Sequence, residues 1–155
     1  MEPKDRTDEW DSVRILRVSS WDAGEIADLY REGGWWDEIW DPTRLDKLIE
    51  GSFLFVVAVD TATGKAIGMG RAISDGVSDA YIQDLVVRSS MRGKRIGRRI
   101  LDRIVEECLA AGLGWIGCIA EPGTDGFYRG AGFAPLDGHV PLLYGTRSRY
   151  DAASR

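Results

Sequence analysis

The chain has little of the chemistry that builds a metal centre or a disulfide scaffold: two cysteines, Cys108 and Cys118, and one histidine, His139, in 155 residues. The cysteines have neither CxxC spacing nor a histidine cluster beside them, which argues against a zinc site and suggests two buried thiols in a reducing compartment. No stretch approaches the roughly 18 apolar residues that span a bilayer. Residues 1–11 are charged and do not join a basic patch to an apolar core, so a soluble, cytoplasmic protein with a loose N-terminal tail is expected. Positive charge is also short, with 20 Lys and Arg against 25 Asp and Glu and a formal charge of −5. That balance argues against a general nucleic-acid binder and suits a cationic small-molecule partner.

What is present is enough for one core. With 44% hydrophobic residues in 155, the expected organisation is a single domain over 12–147 between tails at 1–11 and 148–155. Val13, Ile15, Leu16 and Val18 predict a first strand, and Ser20 or Asp22 caps a helix that runs to about Arg31. Gly33-Gly34 stops it, and Pro42 suits the first turn of a second helix carrying Leu45, Leu48 and Ile49. Between them Trp35, Trp36 and Trp40 put three tryptophans into six residues, too much aromatic surface for an ordinary linker.

Phe53 to Val59, Ala66 to Ile73 and Tyr81 to Val87 predict three consecutive antiparallel strands, joined by Asp60–Gly64 and by a turn at Asp75-Gly76. The period then changes. Ile96, Ile100, Leu101, Ile104, Val105, Cys108 and Leu109 recur at helical spacing, with charged residues opposite them, until Gly112. Trp115 to Ala120 reads as a short buried strand, Thr124 to Gly130 as a short helix, and Phe133 to Tyr144 as a final strand or hairpin arm.

Chemistry concentrates in two strings. In the first, Leu85-Val86-Val87 ends a strand, and Arg92-Gly93-Lys94-Arg95-Ile96-Gly97-Arg98 leads through a basic loop into a helix. Such a junction turns backbone N–H groups and the positive helix end toward a phosphate. The spacing is neither that of a nucleoside-triphosphate P-loop nor that of a dinucleotide fold. Read alone, the string fits a phosphate cradle or a solvated basic helix start. The second string, Phe127-Tyr128-Arg129-Gly130-Ala131-Gly132-Phe133, follows a strand and a Pro122-Gly123 turn.

With both strings in hand, the sequence resembles the GNAT superfamily of N-acetyltransferases over essentially its whole length. The family loop [QR]-x-x-G-x-[GA] is matched at Arg92 and Gly97, and F-Y-x-x-x-G-F is matched in full at Phe127 to Phe133. Arg95 stands where the family carries its inner glycine, so it must expose its side chain while its N–H still faces the pyrophosphate. The resemblance implies an α/β fold, a mixed and mostly antiparallel twisted sheet of six to seven strands flanked by about four helices. It also implies a bulged fourth strand that splays from the fifth to make a slot for acetyl-CoA.

The same resemblance implies the site. The main chain of Leu85, Val86 and Val87 pairs with the pantetheine arm, and Arg92, Gly93, Lys94, Arg95, Ile96, Gly97 and Arg98 hold the pyrophosphate. A main-chain N–H near Val86 stabilises the oxyanion, and Tyr128 protonates or hydrogen-bonds the leaving sulfur. The acceptor has to be a neutral amine. At a pKa of ~10.4 only about one part in 10³ is neutral at pH 7, so the site needs a base or a water chain to one. Asp84 is the candidate for that base, or for the carboxylate that holds the cationic amine, and a buried structural acid is the other reading. Gln83 stands where some polyamine-acetylating relatives have Glu.

Trp35 and Trp36 can stack an aromatic substrate or box a cation, or serve only to pack the loop. No metal is expected. A thiol intermediate on Cys108 or Cys118 is disfavoured, so direct transfer in a ternary complex is favoured. The expected activity is acetyl transfer from acetyl-CoA to a small cationic or aromatic amine, without nucleic acid or membrane as partner. The alternatives are a protein N-terminus or lysine as acceptor, or a non-catalytic acyl-CoA-binding sensor or interaction module. An apolar arm at Val140 to Tyr144 would suit a homodimer paired through a strand edge.

Overall fold

A computed structural model describes residues 12–145; the two expected tails, 1–11 and 148–155, lie outside the described residues. The chain divides between Cys118 and Ile119 into two compact units.

The first unit is one five-stranded sheet, β1 (Val13–Val18), β2 (Leu54–Asp60), β3 (Ala66–Ile73), β4 (Asp79–Val87) and β5 (Trp115–Cys118), in the spatial order β1-β2-β3-β4-β5. The first four strands are antiparallel neighbours, and β5 lies parallel to β4. Helices α1 (Ala23–Glu32) and α2 (Leu45–Gly51) join β1 to β2, and α3 (Ile96–Ala110) joins β4 to β5.

The continuous apolar run in β2 follows from its place in the sheet. Alternate residues point to opposite faces, and all of Leu54 to Val59 are buried. Phe55, Val57 and Val59 pack into one cluster with Ile26, Leu29 and Tyr30 of α1 and Leu45 and Ile49 of α2. On the opposite face, Ile100 and Ile104 of α3 come down onto Gly68 and Gly70 of β3, where a Cβ would sit 3.0 Å from Ile100 Cδ1 and 2.9 Å from Ile104 Cδ1. Burying each of these large aliphatic side chains contributes roughly 1.5–3 kcal/mol.

Helix α1 starts where its sequence signals say. Asp22 is the N-cap, its side chain accepting the Glu25 N–H at 2.8 Å. Pro42 opens a single 3-10 turn, Pro42–Arg44, before α2.

Two expectations are corrected. The sheet has five strands among the described residues rather than six to seven, because Phe133 to Tyr144 is not a strand. Pro135 and Pro141 have no N–H to give to a ladder, and Gly138 at φ 75° stands in a turn closed by His139 N–H to Leu136 C=O at 3.1 Å. Second, β5 is shorter and less buried than Trp115 to Ala120 implies: it ends at Cys118, and Trp115 is 43% exposed. As the last strand of its sheet it has one strand neighbour, and the Trp115 ring leans on Tyr81 with centroids 5.3 Å apart.

Among its described residues the second unit contains one short helix, α4 (Asp125–Arg129). The N–H groups of Ala131 and Phe133 both donate to Tyr128 C=O, at 2.9 and 3.1 Å, and fold the glycine-containing segment back onto it.

Candidate functional site

The site begins at an irregularity in β4. Its register against β3 runs Ile82 to Ala72 and Gln83 to Arg71, then resumes at Val86 to Met69, so Asp84 and Leu85 together oppose Gly70 alone. This is the β-bulge expected for the fourth strand. Asp84 takes up the extra residue in a left-handed conformation, φ 56°. Just before the bulge, β4 loses its partner on the other side: pairing with β5 stops at Ile82 and Cys118. From Gln83 to Val87, then, β4 has a strand neighbour on the β3 side alone, and its other edge can accept an extended polar chain as a further strand.

Strict alternation would send Gln83 and Asp84 to opposite faces, and the bulge brings both to Arg71. The Arg71 Nε lies 2.6 Å from Asp84 Oδ2, its Nη2 donates to Gln83 Oε1 at 3.1 Å, and its Nη1 reaches Ser52 Oγ at 3.4 Å. From α1, Tyr30 Oη donates to the same Asp84 Oδ2 at 2.7 Å. Neither contact uses Oδ1. Tyr30 also meets the Trp35 ring edge-on, 6.3 Å between centroids. Three of the sequence candidates, Trp35, Gln83 and Asp84, are thus joined through two residues, Tyr30 and Arg71, that sequence reasoning missed. The available signal was Arg71 itself, the one charged residue in the otherwise apolar strand Ala-Ile-Gly-Met-Gly-Arg-Ala-Ile.

Trp36 belongs to a separate group. The Arg31 guanidinium lies over its ring at 5.3 Å, and Trp40 meets it edge-on at 5.7 Å. Arg31 also pairs with Glu38 at 2.8 Å, a contact that holds the Glu38 carboxyl below its ordinary range. The remaining acids of this stretch serve local turns: Asp37 Oδ1 accepts the Ile39 N–H at 3.1 Å.

After β4 the chain makes a 3-10 turn, Ser89–Met91, and enters α3 at Ile96. Arg95 is the helix N-cap at φ 61°, ψ 13°, and its side chain caps nothing. The backbone thus takes the left-handed shape that glycine favours with an arginine in place. The first turn of any helix has N–H groups without an intrahelical acceptor. Here Gly93 (φ 79°), the exposed Lys94 and Arg95 lead into them. Arg92 turns back, its Nε donating to Val87 C=O at 3.0 Å, and Arg98 pairs with Asp102 at 2.7 Å. The turn is tied to α1, since Ser89 N–H donates to the Glu32 carboxylate and holds that carboxyl below its ordinary range. This uncapped, basic helix start can hold phosphate oxygens.

In the second unit Tyr128 is half-buried between two rings, Phe127 at 5.1 Å and Phe133 at 5.8 Å, both edge-on. Phe127 is exposed, because a five-residue helix has no face wide enough to bury it. Burial pushes both the Cys108 and Cys118 thiols up, away from the thiolate a covalent route would need.

The chain matches the model of the Acetyltransferase (GNAT) family over residues 10–133. It is 36% identical over 77 residues to Serotonin N-acetyltransferase 2, chloroplastic, of Oryza sativa subsp. japonica, an alignment that covers 50% of this chain and 38% of that relative. Among solved structures it resembles the glucosamine-6-phosphate N-acetyltransferase from Arabidopsis thaliana, with a TM-score of 0.69 at 15% identity over 86% of this chain and 99% of that one. A GNAT family acetyltransferase from Streptococcus pneumoniae gives a TM-score of 0.68 at 23% identity, over 88% and 99%. These structural likenesses establish the fold.

Proposed function

The chain belongs to the acetyltransferase (GNAT) family, and from that premise we propose that it transfers an acetyl group from acetyl-CoA to a primary amine by direct attack in a ternary complex. The observation that carries this reading is the β4 edge: a bulge at Asp84-Leu85, an unpaired main chain to Val87, and directly after it an uncapped basic helix start. The edge fits the amide-containing pantetheine arm, and Gly93 to Arg98 fit the pyrophosphate.

In this reading the amine nitrogen attacks the thioester carbonyl, the C–N bond forms, and the oxyanion is met by a main-chain N–H near Val86. Asp84 Oδ1, which neither Arg71 nor Tyr30 occupies, receives the ammonium or takes its proton through water. The C–S bond then breaks and the thiolate takes a proton, the task that the family string assigns to Tyr128. A phenol near pKa ~10 against a thiol near ~8.5 makes complete transfer mildly uphill, so hydrogen bonding shares the work. No step uses Cys108 or Cys118.

We favour a small cationic or aromatic amine as acceptor. The net charge of −5, the carboxylate of Asp84 and the Trp35 ring joined to it through Tyr30 support this choice, as does the likeness to a relative named for serotonin. Pairing of two copies through the exposed apolar residues Val140 and Leu142 to Tyr144 and residence in the cytoplasm belong to the same reading. Light scattering and cell fractionation test them.

The deciding experiment is calorimetric titration with acetyl-CoA of the wild-type protein and an Arg92→Ala/Gly97→Glu variant, followed by thiol release over a panel of serotonin, spermidine, glucosamine 6-phosphate and a lysine peptide. Binding that the variant loses, with turnover of serotonin or spermidine, supports the proposal. No binding by the wild-type protein sinks it.

A further inference from the structure

We propose that Arg71 is a positioning residue for acetyl-CoA, an assignment that rests on the acetyl-CoA reading above: it holds the β4 bulge in the shape that offers the main chain of Leu85 to Val87 to the pantetheine arm. Four observations lead there.

First, Asp84 sits at φ 56°, where the Cβ of an L-residue crowds the carbonyl oxygen. Such a conformation persists when its surroundings over-determine it. Second, the over-determination is visible: Asp84 Oδ2 receives Arg71 Nε at 2.6 Å and Tyr30 Oη at 2.7 Å, from β3 and from α1. Third, both partners of the ion pair are mostly buried, with 15% of the Arg71 side chain and 9% of that of Asp84 exposed. A pair so enclosed is weak evidence for stability, because an apolar pair of similar volume is often as stable; what charge adds here is direction. Fourth, β5 stops pairing at Ile82, so in the sheet the path of β4 beyond it is set from the β3 side.

The guanidinium fork suits this task. Its three nitrogens address three groups, Asp84, Gln83 and Ser52, and so fix both residues on the same side of the bulge at once. A lysine ammonium in the same place is a single point charge on a flexible stem.

The test uses two ligands that share one half. Wild type, Arg71→Met, Arg71→Lys and Tyr30→Phe are titrated with acetyl-CoA and, separately, with adenosine 3′-phosphate 5′-diphosphate, which carries the phosphates and lacks the pantetheine arm. Arg71→Met is expected to weaken acetyl-CoA about tenfold, the loss of one or two main-chain hydrogen bonds, while the nucleotide changes less than about twofold. Arg71→Lys is expected to recover part of the loss. Tyr30→Phe, which removes one oxygen and keeps the ring, is expected to lose about threefold on acetyl-CoA alone. If Arg71→Met does not fold, the Tyr30→Phe ratio decides. Equal losses on the two ligands, or none on either, overturn the assignment while leaving wild-type binding intact. A wild-type protein that binds neither ligand overturns the acetyl-CoA reading itself, and the assignment with it.

Discussion

Replacing Gly68 by alanine tests whether the glycines of β3 are there to let α3 and β4 approach. A Cβ at Gly68 would lie 3.0 Å from the Val86 carbonyl oxygen, 3.0 Å from Ile100 Cδ1 and 3.3 Å from Val87 Cγ2. The carbonyl is main chain and cannot rotate away, and Ile100 is fully buried, so relief requires β3 and β4 to move apart. Overpacking of this kind costs about 1–3 kcal/mol. Alanine recovers roughly 0.5–1 kcal/mol of the conformational entropy that glycine loses on folding. The net expectation is a destabilisation of about 1–2 kcal/mol, which for a chain of this size lowers Tm by about 2–8 °C. Gly51→Ala is the control: it ends α2 and a Cβ there meets nothing within 4 Å, so it is expected to gain up to about 1 kcal/mol. Thermal and urea denaturation read both. A Gly68→Ala protein as stable as wild type, beside a stabilised Gly51→Ala, would refute the packing argument.

Three further outcomes follow from particular residues. Arg95→Gly removes the Cβ from a left-handed N-cap, relieving about 1–2 kcal/mol of backbone strain against roughly 0.5–1 kcal/mol of added chain entropy; urea midpoints are expected to rise slightly. Tyr128→Phe is expected to lower kcat about 10²-fold with the acetyl-CoA Kd unchanged, read by thiol release and calorimetry; undiminished turnover would remove the tyrosine from the proton path. Glu32→Gln separates a pH-dependent contribution. The Ser89 N–H holds the folded-state carboxyl of Glu32 low, so its stabilisation is complete above the unfolded pKa near ~4.3 and is lost as pH falls through the folded value. The Tm gap between wild type and Glu32→Gln is expected at pH 7 and to shrink as the pH is lowered toward about 3; a gap independent of pH would contradict the contact.

Much of the fold is legible because local and global preferences agree. Asp22 is a cap with an apolar stripe behind it, Ala66–Ile73 is bounded by turn residues, and α3 repeats its apolar face from Ile96 to Cys108. Where the reading goes astray, apolar content is taken for strand. Phe133 to Tyr144 is apolar enough for a strand, but its prolines withhold the donors that a ladder needs. In the candidate site the visible part is the part written as a contiguous string: Arg92 to Arg98, and Phe127 to Phe133.

The hidden part, Arg71 and Tyr30, depends on a count rather than on a motif. With one residue fewer in β4, Gln83 and Asp84 would alternate across the sheet, and an arginine on β3 could face one of them only. With the extra residue, both turn to Arg71, Asp84 accepts the left-handed backbone, and Tyr30 closes from the helix above. The string Tyr-Ile-Gln-Asp-Leu-Val-Val marks that shift only weakly: its one local sign is Asp84, a residue type depleted in strands and tolerant of the left-handed region. Local rules fail at this point for a physical reason: the strand leaves its ideal path where its main chain, instead of pairing with β5, is left free to meet a ligand.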